Sequence, residues 1–364
     1  MGNSRNKEVF VIMDKKLSFI NSLMGLKAIC MLLLFWWHSS IPSPSVDLGA
    51  RTCEFLFVTS GFLVGYNYHD KNVSPTWKQS FKYVYKKLIE FWPLHIIAMF
   101  MVWIACITPM FTYRNLTNAI LNVFLLQAWN PDTQVSFSFN GASWYLSALI
   151  FCYFISPLLL SISKKLRSSL ILFLIVFVVR CLIEYTINLY PEYYSSINIH
   201  TSPLIRGMEY FLGMLLVPGY ICIRNRFTLK IKFAVASVFE IISLALLIYL
   251  VICNNGIWLR GQYVILMCIT VFVFSFDKGI ISKFLSNRIF KWFSNIQFEF
   301  FILHQAVIKS CDSVYSMYIL EPLLRNSVTF LTVILYAIIY RMILKKRLSG
   351  WMEKICSKCT RFLK

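Results

Sequence analysis

Apolar windows of roughly 20 residues recur along nearly the whole chain, separated by short polar connections. A window of that length can cross a bilayer as a helix, because a helix satisfies its own backbone donors and acceptors where no water is available. The windows fall at 17–38, 48–68, 88–108, 143–163, 169–189, 204–218, 233–253, 259–276, 292–311 and 327–344. This pattern predicts an all-α polytopic membrane protein with about ten transmembrane helices in one bundle. A further apolar stretch near 116–128 is too short to cross and reads as a re-entrant or interfacial segment. The sequence WNPDTQVSFSFNGASW that follows it is rich in Asn, Ser, Pro and Gly, and predicts an ordered loop over the outer face.

Composition agrees with the windows. The 364 residues are 58% hydrophobic and 14% charged, with a mean hydropathy of +0.65, far from the roughly 25% charged residues of a soluble domain. The net charge of +20 could suggest nucleic acid, but most of the 36 Lys and Arg lie in clusters at 1–16, 71–87, 164–167, 224–232, 278–291 and 345–364. Ten crossings put all six clusters on one side, the positive-inside pattern, with both termini cytoplasmic and no nucleic-acid partner. The chain therefore divides into a basic N-terminus (1–16), a membrane domain (17–344) and a basic cytoplasmic tail (345–364). The first apolar run is long and follows four basic residues, so it is expected to stay as an anchor and not to be cleaved. The 11 cysteines are scattered, mostly in apolar windows, where they pack as small hydrophobes. One CxxC, Cys356 to Cys359, lacks a second pair or a nearby His, and no metal site is expected.

Against this background the polar groups inside the windows stand out, since a charge at a helix centre costs about 2.5 to 3.5 kcal/mol on insertion scales. Lys27 lies ten residues into the first window, about 15 Å deep, and His38 reaches its outer end. Eleven positions apart on one helix, both can face one interior groove. A lysine at mid-depth can hold an anionic or carbonyl group, and a histidine at the outer mouth can act as general base. The plainer reading is a snorkelling lysine and an interfacial histidine beside Trp36 and Trp37. Glu54, on the next helix of the hairpin, lies about 9 Å below the outer surface, within reach of His38 to fix its tautomer. Its plainer alternative is an ion pair with Arg51. Arg180 and Glu184 share one helix face, as do Arg206 and Glu209, while His304 lies about 18 Å into its window. Glu90, His95 and His69 read as belonging to the inner side, and His200 to an outer loop.

The stretch FLFVTSGFLVGY, Phe55 to Tyr66, resembles the F-F-x-x-S-G-F-L-x signature of acyltransferase family 3, membrane proteins that acylate cell-surface carbohydrates. Further motifs agree in order. A basic residue, ten intervening residues and a histidine fall on Lys27 and His38; YKKLIEFWPLH around Pro93 is similar to the family's basic stretch before a proline; Trp144 to Leu149 match W-x-L-S-A-L. Arg206, Glu209, Phe211, Gly213 and Met214 resemble R-x-x-E-F-x-x-G-M with Tyr210 inserted, and FEFFILHQAVI, with His304, resembles a late Y-L-x-H helix. The chain departs at Lys27, where the family has arginine, at Glu90 and Phe91, where an arginine often precedes the proline, and at Phe301, where Tyr is usual.

The resemblance implies transfer of an acyl group, acetyl before succinyl, from cytoplasmic acyl-CoA to a hydroxyl of a cell-surface or exported carbohydrate or glycolipid. It implies a multi-pass protein of a bacterial cytoplasmic membrane, working beside polysaccharide-biosynthesis proteins, with no permanently bound cofactor. The expected roles are His38 as general base, Glu54 as its orienting carboxylate, Lys27 on the donor channel, and Arg206, Glu209, His304 and Trp144 around the substrate. Two other readings use the same buried charges: a transporter or flippase for a polysaccharide intermediate, and an inactive scaffold in an assembly complex.

Overall fold

A computed structural model describes residues 20–39, 47–105, 113–190, 192, 197–227, 232–253, 261–319 and 321–362, without side chains from 355 onward. The N-terminal basic segment, the Pro42 to Ser45 turn and the Cys356/Cys359 side chains lie outside these residues. The described residues are helical, with no strand among them.

The first helical hairpin is α1 (Asn21–His38) and α2 (Leu48–Tyr68), the latter opened by Asp47, whose carboxylate accepts from the Ala50 amide at 2.9 Å. Next come α3 (Trp77–Ala105) and the short α4 (Tyr113–Val123), then a 3-10 turn (Gln127–Trp129) and a single turn, α5 (Thr133–Ser136). Two long apolar helices, α6 (Ser143–Ile162) and α7 (Leu166–Leu189), precede α8 (Pro203–Leu215) and α9 (Val217–Phe227). The last third comprises α10 (Phe233–Cys253), α11 (Gly261–Phe274), the short α12 (Ile280–Leu285), α13 (Arg288–Tyr318), α14 (Pro322–Ile339) and α15 (Lys345–Phe362).

Each of the ten apolar windows falls on one of these helices. Six helical stretches among the described residues are long and apolar enough to cross a membrane: 77–105, 143–162, 166–189, 203–226, 233–252 and 322–354. The other windows carry polar residues or are short: α1 holds Lys27, α2 holds Arg51 and Glu54, α11 has 14 residues, and α13 is studded with charges. The stretch near 116–128 folds as α4 and the 3-10 turn, and α4 ends tied to the middle of α3, where Trp92 Nε1 donates to Val123 O and His95 Nε2 to Asn122 O, both at 2.9 Å. His95 is thus a fully buried link to this segment. At the other end, helix continues through 344/345: a π-turn over Tyr340–Leu344 carries α14 directly into α15.

One apolar core cluster runs from Ile20 to Tyr340. Its closest helix pair is α2 against α8, and the reason is two glycines: a methyl on Gly61 would strike the Tyr210 carbonyl, and one on Gly213 the Val58 carbonyl. Both glycines belong to the family-like motifs, which thereby act as a packing seam. Helix α1 lies between α2 and α13, and α13 also packs on α3 and α14. Helices α7 and α10 sit at the periphery with Leu170, Leu174, Leu182, Val238, Ile242 and Leu246 turned outward, as lipid-facing helices require.

Candidate active site

The seven sequence-selected residues separate into two clusters, a cavity wall and an aromatic layer. The first cluster is built on the end of α1 and the middle of α13. His38 and His304 face each other with ring centroids 5.4 Å apart. His304 Nδ1 is 2.5 Å from the Phe301 carbonyl, which can only accept, so Nδ1 carries the proton and Nε2 keeps a lone pair. That Nε2 is buried, with no hydrogen-bond partner among the described residues. The side-chain nitrogen of Gln305 lies 2.7 Å from His38 Nε2. An amide nitrogen can only donate, so with this amide orientation His38 Nε2 is the acceptor and Nδ1 bears the ring proton.

The loop after α5 is tied to α13 beside this pair. Asn140 Nδ2 donates to Ile302 O at 2.8 Å and Lys309 Nζ to Phe139 O at 2.9 Å, two tethers to α13 on either side of His304 and Gln305. Beneath it, Ser143 Oγ donates to Asn140 O at 2.7 Å, and Asn122 Nδ2 to Ser138 Oγ at 2.8 Å. Phe139 adopts a left-handed φ of 55°, a strained conformation for a non-glycine residue that these tethers hold in place.

Glu54 belongs to the second cluster. The hairpin reading paired it with His38; the structure pairs it with arginines from three helices. Arg51 Nη1 lies 2.5 Å from Oε2, while Oε1 is 3.4 Å from Arg206 and 4.0 Å from Arg180. Arg206 Nη1 also bonds Glu209 at 2.5 Å, and its other nitrogens donate to the His200 and Ile199 carbonyls, both at 2.9 Å. Arg180 bonds Glu209 at 2.7 Å and Glu184 at 3.0 Å. Three arginines and three carboxylates are thus interleaved, all of them buried. Arg180 and Glu184, which lie outside the family-like motifs, are integral members.

Lys27 lies elsewhere, on the wall of an internal cavity of about 170 Å³ bounded also by Lys87, Glu90, Tyr145, Tyr153 and Phe301. Among the described residues no hydrogen bond or ion pair reaches its ammonium group. The cavity opens beside Lys87 and Glu90, whose side chains are 24% and 49% exposed. Its far wall is the edge-on pair of Tyr145 and Phe301, 4.9 Å apart, and the Phe301 ring lies 5.7 Å from His304. One aromatic layer therefore separates the lysine cavity from the imidazole pair. Trp144 extends that layer: it is buried, 6.0 Å from Tyr145 and 4.6 Å from the His200 ring, and so belongs to the aromatic packing.

Sequence reasoning missed Gln305 and Asn140. A glutamine next to His304 carries no charge and does not titrate, and its signal is a polar side chain inside an apolar window beside a histidine. The sequence matches the acyltransferase domain family over residues 20–341, nearly the whole chain, and the protein therefore belongs to acyltransferase family 3. It is a membrane enzyme that transfers acyl groups. No curated protein and no solved structure matches it.

Proposed function

We propose that this enzyme takes an acyl group, acetyl first, from acyl-CoA on the cytoplasmic side and transfers it to a carbohydrate hydroxyl on the outer side of a bacterial cytoplasmic membrane. The observation that supports this reading is the aromatic contact of Tyr145 and Phe301 between a cavity lined by Lys27, Lys87 and Glu90 and the facing imidazoles of His38 and His304. In this reading α1, α2, α11 and α13 cross the bilayer as well, which gives ten crossings and keeps every basic cluster inside.

The donor's thioester arm would enter beside Lys87 and Glu90 and pass the Lys27 ammonium, which holds an anionic or carbonyl group at mid-depth. The distance from Lys27 to His38 along α1 is about 16 Å, a span that a pantetheine arm can cover. At the outer end the acceptor oxygen attacks the thioester carbonyl carbon. The hydroxyl takes the place of the Gln305 amide at His38 Nε2; the new C–O bond forms as the C–S bond breaks, and the hydroxyl proton passes to that Nε2 lone pair and then to the leaving thiolate, yielding an ester and CoA thiol. His304 Nε2 offers a second acceptor for a sugar hydroxyl. Arg206, Glu209 and Glu54 support this site by fixing α2 against α7 and α8.

The test is transfer of label from radioactive acetyl-CoA, by purified protein in nanodiscs, to polysaccharide extracted from cells lacking the gene. His38→Ala should reduce the rate by about a thousandfold, the middle of the range for a lost general base. Transfer at the wild-type rate by that variant would remove His38 from the mechanism.

A further inference from the structure

We infer that Gln305 is the positioning residue of the His38 imidazole, and that Gly141 is glycine so that the Gln305 amide can occupy its place. The inference rests on the reading of His38 as general base.

A base must present a lone pair, and a neutral imidazole has two tautomers of similar energy. Only one of them leaves Nε2 unprotonated. The Gln305 amide at 2.7 Å donates to that nitrogen and so selects the Nδ1–H form before any acceptor arrives. An amide is suited to both halves of the step: it donates N–H to neutral Nε2, and after a half-turn about its last torsion it offers Oε1 to the Nε2–H of the imidazolium. A carboxylate can do only the second, and an apolar side chain neither. The charged and titratable groups facing the ring are His304, on the same turn of α13, and Lys309, one turn further out. Neither is an anion, so the acceptors available to the imidazolium are neutral, and the Gln305 amide is the one already in hydrogen-bond contact with Nε2.

The amide is set from behind by the tethered loop. A methyl group at Gly141 would overlap the Gln305 side-chain oxygen, while no main-chain atom stands in its way and the backbone there is not left-handed. Alanine at 141 should therefore fold, yielding at the end of the flexible glutamine and pushing the amide off His38. This links Asn140, Phe139 and Lys309 to the chemistry: their bonds hold Gly141 against Gln305.

The acetyl-CoA assay with extracted polysaccharide tests this with two single variants and their combination. Gln305→Ala should lower kcat by about 10- to 100-fold, as expected when an imidazole base is no longer held in one tautomer, with KM for acetyl-CoA within about 2-fold because donor binding is untouched. Gly141→Ala should lower kcat in the same way, yet add less than about 2-fold in the Gln305→Ala background, since both act through one contact. Nitrogen NMR of ¹⁵N-histidine-labelled protein should show His38 as the Nδ1–H tautomer in the wild type and a tautomer mixture in either single variant. If Gln305→Ala does not fold, Gly141→Ala decides: reduced kcat supports the inference, and unchanged kcat overturns it. Wild-type kcat in Gln305→Ala, with His38→Ala inactive, overturns the role of Gln305 and leaves the base assignment standing. Wild-type activity in His38→Ala ends both.

Discussion

The arginine–carboxylate cluster and the histidine pair are both buried polar groups in a membrane protein, but one is a set of matched charges and the other a pair of imidazoles with an open acceptor. In the cluster every guanidinium has a carboxylate within 3.0 Å, and Arg206 spends its remaining nitrogens on main-chain carbonyls. In the pair, His304 Nε2 keeps an open lone pair and His38 is held by an amide that a hydroxyl can replace. Burial explains the difference. An unpaired ion in low dielectric costs several kcal/mol, so ions must be matched, and matched ions brace helices. A neutral imidazole nitrogen left open costs only about 1 to 3 kcal/mol, a cost the fold can carry where chemistry needs a free acceptor.

The largest effect should come from unbalancing the cluster. Glu209 lies between Arg180 and Arg206, and Glu209→Ala would leave two buried guanidinium groups short of a counter-charge. We expect a loss of about 3 to 5 kcal/mol of stability, the range for breaking a buried pair from one side. Thermal unfolding in detergent measures it; a melting temperature equal to wild type would show that the cluster is no brace. Removing the open lone pair should do the reverse. His304→Phe keeps the volume of the ring and should change stability by no more than about 1 kcal/mol, yet lower transfer by about 10- to 100-fold. Full activity in that variant would mean that an unsatisfied nitrogen here does not mark function. A smaller effect is expected at the edge of the cluster. Arg51→Gln removes a charge that also stacks over Tyr263 at 4.4 Å, but leaves Glu54 with Arg206 at 3.4 Å. A loss of about 1 to 2 kcal/mol, well below that of Glu209→Ala, would show that the cluster's centre matters more than its rim.

These two regions were unequally legible in the sequence. Depth could be read from residue counting, so Lys27 and His38 stood out as points on one path. Azimuth could not. That α1 and α2 form a hairpin puts Glu54 near His38 in height, but a helix rotation decides which neighbour a side chain meets, and the Gly61/Gly213 seam turns Glu54 toward α8 and its arginine. Arg180 was visible only as half of an i,i+4 pair, because its bond to Glu209 joins residues far apart in sequence. Gln305 was passed over because an uncharged amide does not titrate, and the buried groups singled out were charged or titratable. The windows located helices well, but α1, α2 and α13 carry polar side chains and fall outside the six that are long and apolar enough to cross a membrane. The cluster Lys345-Lys346-Arg347 read as the start of a tail, yet no helix breaker stands there and α15 continues.

That continuation leads to the smallest predicted effect, at the charged end of the cavity beside Lys87 and Glu90. Glu90 is 3.4 Å from Lys87 and 3.8 Å from Lys345 of α15. Lys345 also bonds Glu299 at 2.9 Å, and Arg341 approaches the same carboxylate at 3.5 Å. The mouth is therefore a chain of alternating charges, matched like the arginine cluster but partly exposed, and exposure screens each pair to about 0 to 1 kcal/mol. Lys345→Ala should accordingly leave stability within that range, since Glu299 keeps Arg341. If the phosphates of acyl-CoA pass this mouth, losing one cation should raise KM for the donor by about 2- to 5-fold at low salt, with kcat unchanged. The effect should fade as ionic strength rises, because the Debye length shrinks to about 8 Å at 0.15 M. This KM signature is the opposite of the kcat signature expected at His38, Gln305 and His304. A fall in kcat from Lys345→Ala would mean that the charged end of the cavity and the imidazoles are not separate parts of the path.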